Sequence, residues 1–255
     1  MTQKETIIDY LKQGIRFDGR KLDEYRDIKI EVDVTKTAEG SAKIWIGDTE
    51  LLAGIKLAVG KPYSDSPENG TLMVDAELTP LSSPKFESGP PSINAIELAR
   101  VTDRAIRESE SIDTKKLCIE KGEKVWMVSV DLIPLNASGN LFDAAALAGI
   151  LALKNTKMPK YDGEKVDYKE KTNKGLPLNE LPISVTVWKI GDYLLLDPLS
   201  EEEEHADARL TVASLTDGTI CAMQKGGDNP ITIDEANKMV DLALKSAKNL
   251  RKLVK

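Results

Sequence analysis

The segment Leu141 to Leu153, LFDAAALAGILAL, is apolar nearly all round. A helix with no polar face is stable only where neighbours cover it, so this chain has to build a core around it. With 255 residues and 41% hydrophobic content it has the material to do so. The periodicity on either side predicts the cover. Ile28 to Val34 (IKIEVDV) alternates apolar and polar residues, the pattern of a half-buried strand. SAKIWIGDTELLAGIKLAV reads as two strands turning at Gly47-Asp48. TLMVDAEL gives another strand, and KLCIEKGEKVWMVSVDLIPL a second hairpin through Lys121-Gly122-Glu123. From Ser92 the sequence INAIELARVTDRAIRES turns helical, with Ile93, Ile96, Ala99 and Ile106 as its core stripe.

Beyond the buried helix, residues 157 to 182 (KMPKYDGEKVDYKEKTNKGLPLNELP) are charged and punctuated by Pro and Gly, the composition of an excursion between compact units. The expected division is an N-terminal domain over 1–157, a linker over 158–182 and a C-terminal domain over 183–255. The second unit repeats the logic of the first. ISVTVWKI turns at Gly191-Asp192 into YLLLDP, and DARLTVASLT turns at Asp217-Gly218 into TICAMQKG. A last helix opens on the capping box Thr232-x-x-Glu235 and turns Ala236, Met239, Val240, Ala243, Ala247, Leu250 and Leu253 inward. At the start, MTQKETIIDYLKQG is an amphipathic helix with a Thr2-x-x-Glu5 capping box, closed by Gly14. Antiparallel strands first and a packing helix last, twice over, define an α+β fold.

Charge and cysteine content narrow the function. A net charge of -7 and a pI near 5.1 leave no diffuse attraction for nucleic acid, so any such contact needs a local basic patch. Cys118 and Cys221 stand far apart in apolar segments and read as reduced core thiols, with no CxxC metal pattern. The first helix lacks the charged start and apolar centre of a signal peptide. No run approaches the ~18 apolar residues of a membrane span. The expected location is cytoplasmic.

Three constellations could carry chemistry. Leu199 to Leu210 (LSEEEEHADARL) sets Glu201, Glu202, Glu203 and Glu204 in a row, either as hard oxygen ligands for Mg²⁺ or as a wet, mutually repelling turn; the turn is the commoner use of such a run. His205, the one histidine, reads as a half-exposed loop residue, with no nucleophile placed to form a triad. On the helix from Ser92, Arg100, Arg104 and Arg107 fall at spacings of four and three and share one side. They suit a phosphate track, and they equally suit ion pairs of Glu97 with Arg100, Asp103 with Arg107 and Arg104 with Glu108. Finally, Asn136-Ala137-Ser138-Gly139-Asn140 puts small residues where backbone amides and the dipole of the buried helix could receive a phosphate, or simply cap that helix.

In their order along the chain, Arg16-Phe17-Asp18-Gly19-Arg20, Ile96 to Arg104, Ala137 to Leu153 and Leu194 to Leu210 resemble the phosphorolytic exoribonucleases similar to RNase PH. Within that family the resemblance is to the non-catalytic ring subunits of the archaeal exosome. It implies an RNase PH-like fold of two similar domains and rings of six chains. Active members shorten RNA from its 3′ end with inorganic phosphate and release nucleoside diphosphates. They carry an acid at the position of Glu203 and an aspartate six residues on, where this chain has Arg209, while Asp207 keeps a neighbouring aspartate. An arginine neither donates a proton near neutral pH nor binds Mg²⁺. Active members also grip phosphate with Asp-Gly-Gly-Thr-Arg; the matching residues here are Ala137, Ser138, Gly139, Asn140 and Leu141, which removes a bidentate anion contact.

The resemblance therefore implies a chain with no catalytic residues, its degenerate positions being Glu203, Arg209 and Leu141, and with no metal or cofactor of its own. Single-stranded RNA would be held by Arg100 and Arg104, with Arg107 a weaker candidate. The partners implied are a catalytic RNase PH-like paralogue alternating with this chain in a hexamer, which uses inorganic phosphate, and RNA-binding cap proteins. Three rivals make different demands. A self-sufficient phosphorolytic enzyme needs Asp207 to replace the lost acid; a purely structural subunit needs the arginines paired internally; a Mg²⁺-dependent hydrolytic nuclease needs Glu201 to Glu204 to converge.

Overall fold

The computed structural model describes residues 2–254. Helix α1 (Gln3–Lys12) starts at the reciprocal Thr2/Glu5 capping box, and Gly14 follows it at a positive φ of 72°. The first sheet takes β1 (Ile28–Val32), β2 (Gly40–Ile46), β3 (Thr49–Gly60), β4 (Thr71–Ala76), β5 (Cys118–Glu120) and β6 (Lys124–Asn136). Its strand order is β1-β2-β3-β6-β4, with β5 folded back on β6; only β4 and β6 run parallel. Between β4 and β5 lies α2 (Ile93–Glu108), capped by the Ser92 hydroxyl. After β6 comes the apolar helix α3 (Leu141–Lys154). The second sheet has the order β10-β9-β11-β12, from β9 (Ile183–Ile190), β10 (Tyr193–Leu196), β11 (Ala208–Ser214) and β12 (Ile220–Gly226), all antiparallel. The short α4 (Ser200–Glu203) joins β10 to β11, and α5 (Ile233–Leu250) closes the fold against β9 and β11.

Helix α3 packs on β2, β3 and β6, on β9 of the second sheet, and on α2, and its residues from Asp143 to Leu153 are all buried. One continuous apolar cluster results, running from Ile44, Leu51 and Leu132 through Leu147 and Leu151 to Val185, Val187 and Met239. A helix that must be covered on every side takes its cover from both halves, so this cluster runs through both. The stretch read as a linker is also folded. β7 (Lys157–Tyr161) and β8 (Val166–Gly175) form an antiparallel hairpin whose charged side chains face solvent.

Other expectations are corrected by tertiary packing. Ile93 and Ile96 are 82% and 49% exposed, because the buried face of α2 is built from Ala95, Leu98, Ala99, Val101, Thr102, Ala105 and Ile106. Leu253 lies past the end of α5 in an exposed 3₁₀ turn. Both cysteines are half-buried and free, so neither is a true core thiol. Among the described residues no helix is long and apolar enough to cross a membrane.

Candidate functional site

The polar stretch between α1 and β1 supplies the floor of the site. Arg16 is buried, donating from Nε to Glu202 Oε1 (2.9 Å), from Nη1 to the Leu196 carbonyl (2.8 Å) and from Nη2 to the Asp197 carbonyl (2.7 Å), with Nη2 also paired to Glu202 Oε2. Asp197, fully buried with a positive φ of 46°, accepts from Arg20 Nη1 (2.9 Å), from Arg26 Nε (2.8 Å) and Nη2 (2.7 Å), and from Asn140 Nδ2 (3.0 Å). A buried carboxylate is tolerable only with partners of this kind. Asp143, in the first turn of α3, accepts from Tyr25 Oη (2.6 Å), the Thr186 amide (2.8 Å) and Asn140 Nδ2 (3.1 Å). Burial lifts its pKa to about 6 even though those donors favour the charged form.

The loop before α3 is the one expected to cradle an anion, and an anion of the chain itself sits there. Asn140, at φ 55° and ψ 45°, donates its backbone N–H to Glu203 Oε1 at 2.6 Å. The Ala137 amide is also spent, on the Ser82 carbonyl at 2.9 Å. Arg26 Nη1 and the Thr49 hydroxyl hold the loop from behind, on the Ser138 and Gly139 carbonyls (both 2.6 Å). Gly139 has a φ of 87°, and a Cβ there would strike the Pro198 carbonyl, so the loop packs directly on the turn before α4. Burial raises the Glu203 carboxyl to about 7, against the Asn140 amide, Arg209 and Arg26, which favour its charge.

The acidic run is only in part the wet turn its composition suggests, since Glu201 and Glu204 are exposed while Glu202 is buried and Glu203 half-buried. Glu202 is tied to Arg16 and Glu203 to Asn140, while Glu204 pairs with Lys85 on the surface. Glu202, Glu203 and Glu204 take different partners, and among the described residues no group of three or more His, Cys, Asp or Glu is placed to hold a metal. His205 is half-exposed, its Nδ1 2.9 Å from the Glu201 carbonyl. Asp207 accepts from Lys4 Nζ (2.6 Å), the Gly191 amide (2.7 Å) and Asn229 Nδ2 (2.7 Å), so it fastens α1 to the second sheet.

Arg209 is held between aromatic rings and a carboxylate. On β11 it pairs across to Trp188 of β9 and Gly226 of β12, and its guanidinium lies 4.4 Å from the Phe142 ring and 5.4 Å from Trp188. Cation–π contacts of this sort contribute ~0.5–2 kcal/mol. Its Nη2 stands 2.5 Å from Glu97 Oε1. The cavity it borders, about 560 Å³, is lined by Leu78, Phe86, Leu141, Phe142 and Trp188 with Glu97, Glu201, Glu203 and Glu204. Leu141 contributes a hydrocarbon wall. A cavity with more carboxylates than cations, beside a loop in which the Ala137 and Asn140 amides are already bonded, disfavours phosphate.

Along α2 the charges separate. Arg107 is bidentate to Asp103 (3.0 and 2.6 Å) and also donates to the Leu72 carbonyl (3.0 Å). Arg104 donates to Gln224 Oε1 (3.0 Å) and not to Glu108. Arg100 is exposed and, among the described residues, has no ion pair, since Glu97 has gone to Arg209. All three arginines line a groove of about 410 Å³ with Asp75 and Asp103. The inward residues Arg16, Arg20, Arg26 and Asp197 have no local signal; the one hint is the density of arginine in a loop, Arg16-Phe17-Asp18-Gly19-Arg20 and then Arg26.

This architecture and site belong to a defined class. Residues 24–159 match domain 1, and residues 180–246 domain 2, of the 3′ exoribonuclease family, RNase PH type, and the chain is a member of that family. It is 46% identical over 257 residues to the exosome complex component Rrp42 of Methanopyrus kandleri, covering 99% of this chain and 96% of that one. The Rrp42 component of Archaeoglobus fulgidus is 44% identical over 253 residues, with the same coverage. Among solved structures, a chain of the A. fulgidus exosome with RNA bound to the active site superposes with a TM-score of 0.92 at 44% identity, covering 99% of this chain and 98% of that one.

Proposed function

We propose that this chain is a non-catalytic ring subunit of an exosome, a 3′-to-5′ phosphorolytic exoribonuclease of the cytoplasm. It alternates with a catalytic RNase PH-like paralogue in a hexamer and holds single-stranded RNA through Arg100 and Arg104. The paralogue supplies the phosphate site and the acid, and cap proteins deliver the RNA. The observation that supports the reading is the internal occupation of the loop before α3, where Glu203 accepts from the Asn140 amide, together with the Arg209 guanidinium at the position where the resemblance implies an acid in active members. Its share in the reaction is orientation, holding the terminal linkage where a neighbour can act on it. Two guanidiniums with no ion pair among the described residues give sequence-independent, salt-sensitive grip on phosphates. Arg107, saturated by Asp103 and Leu72, shapes the groove.

The test is reconstitution. The chain alone, the paralogue alone and the mixed ring are each incubated with oligoadenylate and phosphate, and ADP is measured. Release by the mixed ring and none by this chain fits the proposal; ADP from this chain alone at the ring's rate sinks it. The self-sufficient alternative gains no support, because Asp207 is committed to Lys4, Gly191 and Asn229.

A further inference from the structure

The geometry points to Arg209 as a positioning residue for RNA: by holding Glu97 it keeps the Arg100 guanidinium free for phosphate. The inference rests on the reading above that Arg100 meets RNA. Glu97 and Arg100 are three residues apart on α2, a spacing at which opposite charges ordinarily neutralise each other. Here the carboxylate is turned away, 2.5 Å from Arg209 Nη2, and Arg100 is left exposed.

Arg209 wins that competition for physical reasons. Its side chain is only 13% exposed, and Phe142 and Trp188 lie beside its guanidinium, so little freedom remains to be lost on pairing. The Glu97–Arg209 pair is less screened by water than a pair on the open face of α2, and so stronger. Room for the guanidinium comes from Gly226, opposite it on β12, where a Cβ would strike Cζ. The consequence falls on the neighbouring groove. Its three arginines face two aspartates, and a Glu97 released toward Arg100 would cancel the excess. Arg209, on β11, thereby sets the charge around Arg100, one helix turn from the Glu97 that it holds.

The experiment uses full-length chain assembled with its paralogue and labelled oligoadenylate without phosphate, so that binding is read without decay. R209M, which keeps an apolar contact with the rings, is expected to bind about fivefold more weakly, and the salt slope to flatten by up to ~0.7, one phosphate contact on a single strand. Adding E97Q removes the competing carboxylate and is expected to restore both to within about twofold. Unchanged binding in R209M overturns the inference. So does a weak E97Q/R209M double variant, because Arg209 would then act through the fold and not through Glu97. R100A separates the two claims. If R100A binds normally, the RNA reading and this inference fall together; if R100A is weak and R209M normal, only the inference falls. Should R209M not assemble, R209Q removes the charge with less loss of volume: weaker binding cancelled by E97Q supports the inference, and unchanged binding overturns it.

Discussion

Between α1 and β1, Arg16, Arg20 and Arg26 reach inward and each meets a carboxylate of the second half; on the outer face of α2, Arg100 and Arg104 meet none among the described residues. The residue type is the same and the energetics are opposite. Inside, a guanidinium removes the cost of a buried carboxylate, and losing either partner leaves the other uncompensated. Outside, a guanidinium contributes almost nothing to the fold and is free for a ligand. The difference separates what holds this molecule together from what it offers to others, and it can be attacked from either end.

The largest effect is expected at Arg16. Arg16→Ala strands Glu202, whose side chain is 1% exposed, and should cost ~3–5 kcal/mol, read by urea denaturation. An Arg16→Ala chain as stable as the parent would erase the contrast. Next, Arg100→Glu with Arg104→Glu should weaken RNA binding by about tenfold per site, a hydrogen-bonded ion contact being worth ~1.5 kcal/mol, while stability stays within ~0.5 kcal/mol. Equal losses in melting and binding would show that the outer arginines are structural too.

A smaller effect concerns pH. The Glu203 carboxyl holds its proton in the folded chain up to about 7, above the ordinary glutamate value of 4.5, so the folded state binds the proton that the unfolded chain has released. Its contribution to stability is present below pH 4.5 and is lost as pH rises toward 7; Asp143, lifted to about 6, acts in the same direction. Glu203→Gln should flatten the stability profile over that range, measured by denaturation at a series of pH values. A slope unaltered by the substitution would contradict the burial of that carboxyl. Least of all, His205→Ala should change stability by less than ~0.5 kcal/mol and leave RNA binding alone.

Local patterns carried much of the fold. The Thr2, Ser92 and Thr232 caps, the turns at Gly47-Asp48, Lys121-Gly122-Glu123 and Gly191-Asp192, and the all-round apolarity of α3 each depend on residues a few positions apart. What stayed hidden depends on distance along the chain. Nothing near Glu202 says that Arg16 will bury it, and nothing near Ile93 says that its face of α2 stays uncovered. Family resemblance singled out Glu203, Arg209 and Leu141, and the structure brings all three to the rim of one cavity. The resemblance could not foresee that Glu203 would cap α3 or that Arg209 would draw Glu97 from Arg100, since both depend on side-chain choices made in the finished core.

The bolts set by Arg16, Arg20 and Arg26 also govern how the polypeptide comes to be made. Their acceptors at Asp197 and Glu202 emerge from the ribosome some 170 to 190 residues later, and the face of α1 formed by Ile7 and Leu11 waits for Trp188, Ile190 and Leu195. Contacts so remote in sequence close late and slowly. The growing chain must therefore carry uncovered apolar surface and idle positive charge until those later residues are made, an interval in which a chaperone has most to gain by engaging it.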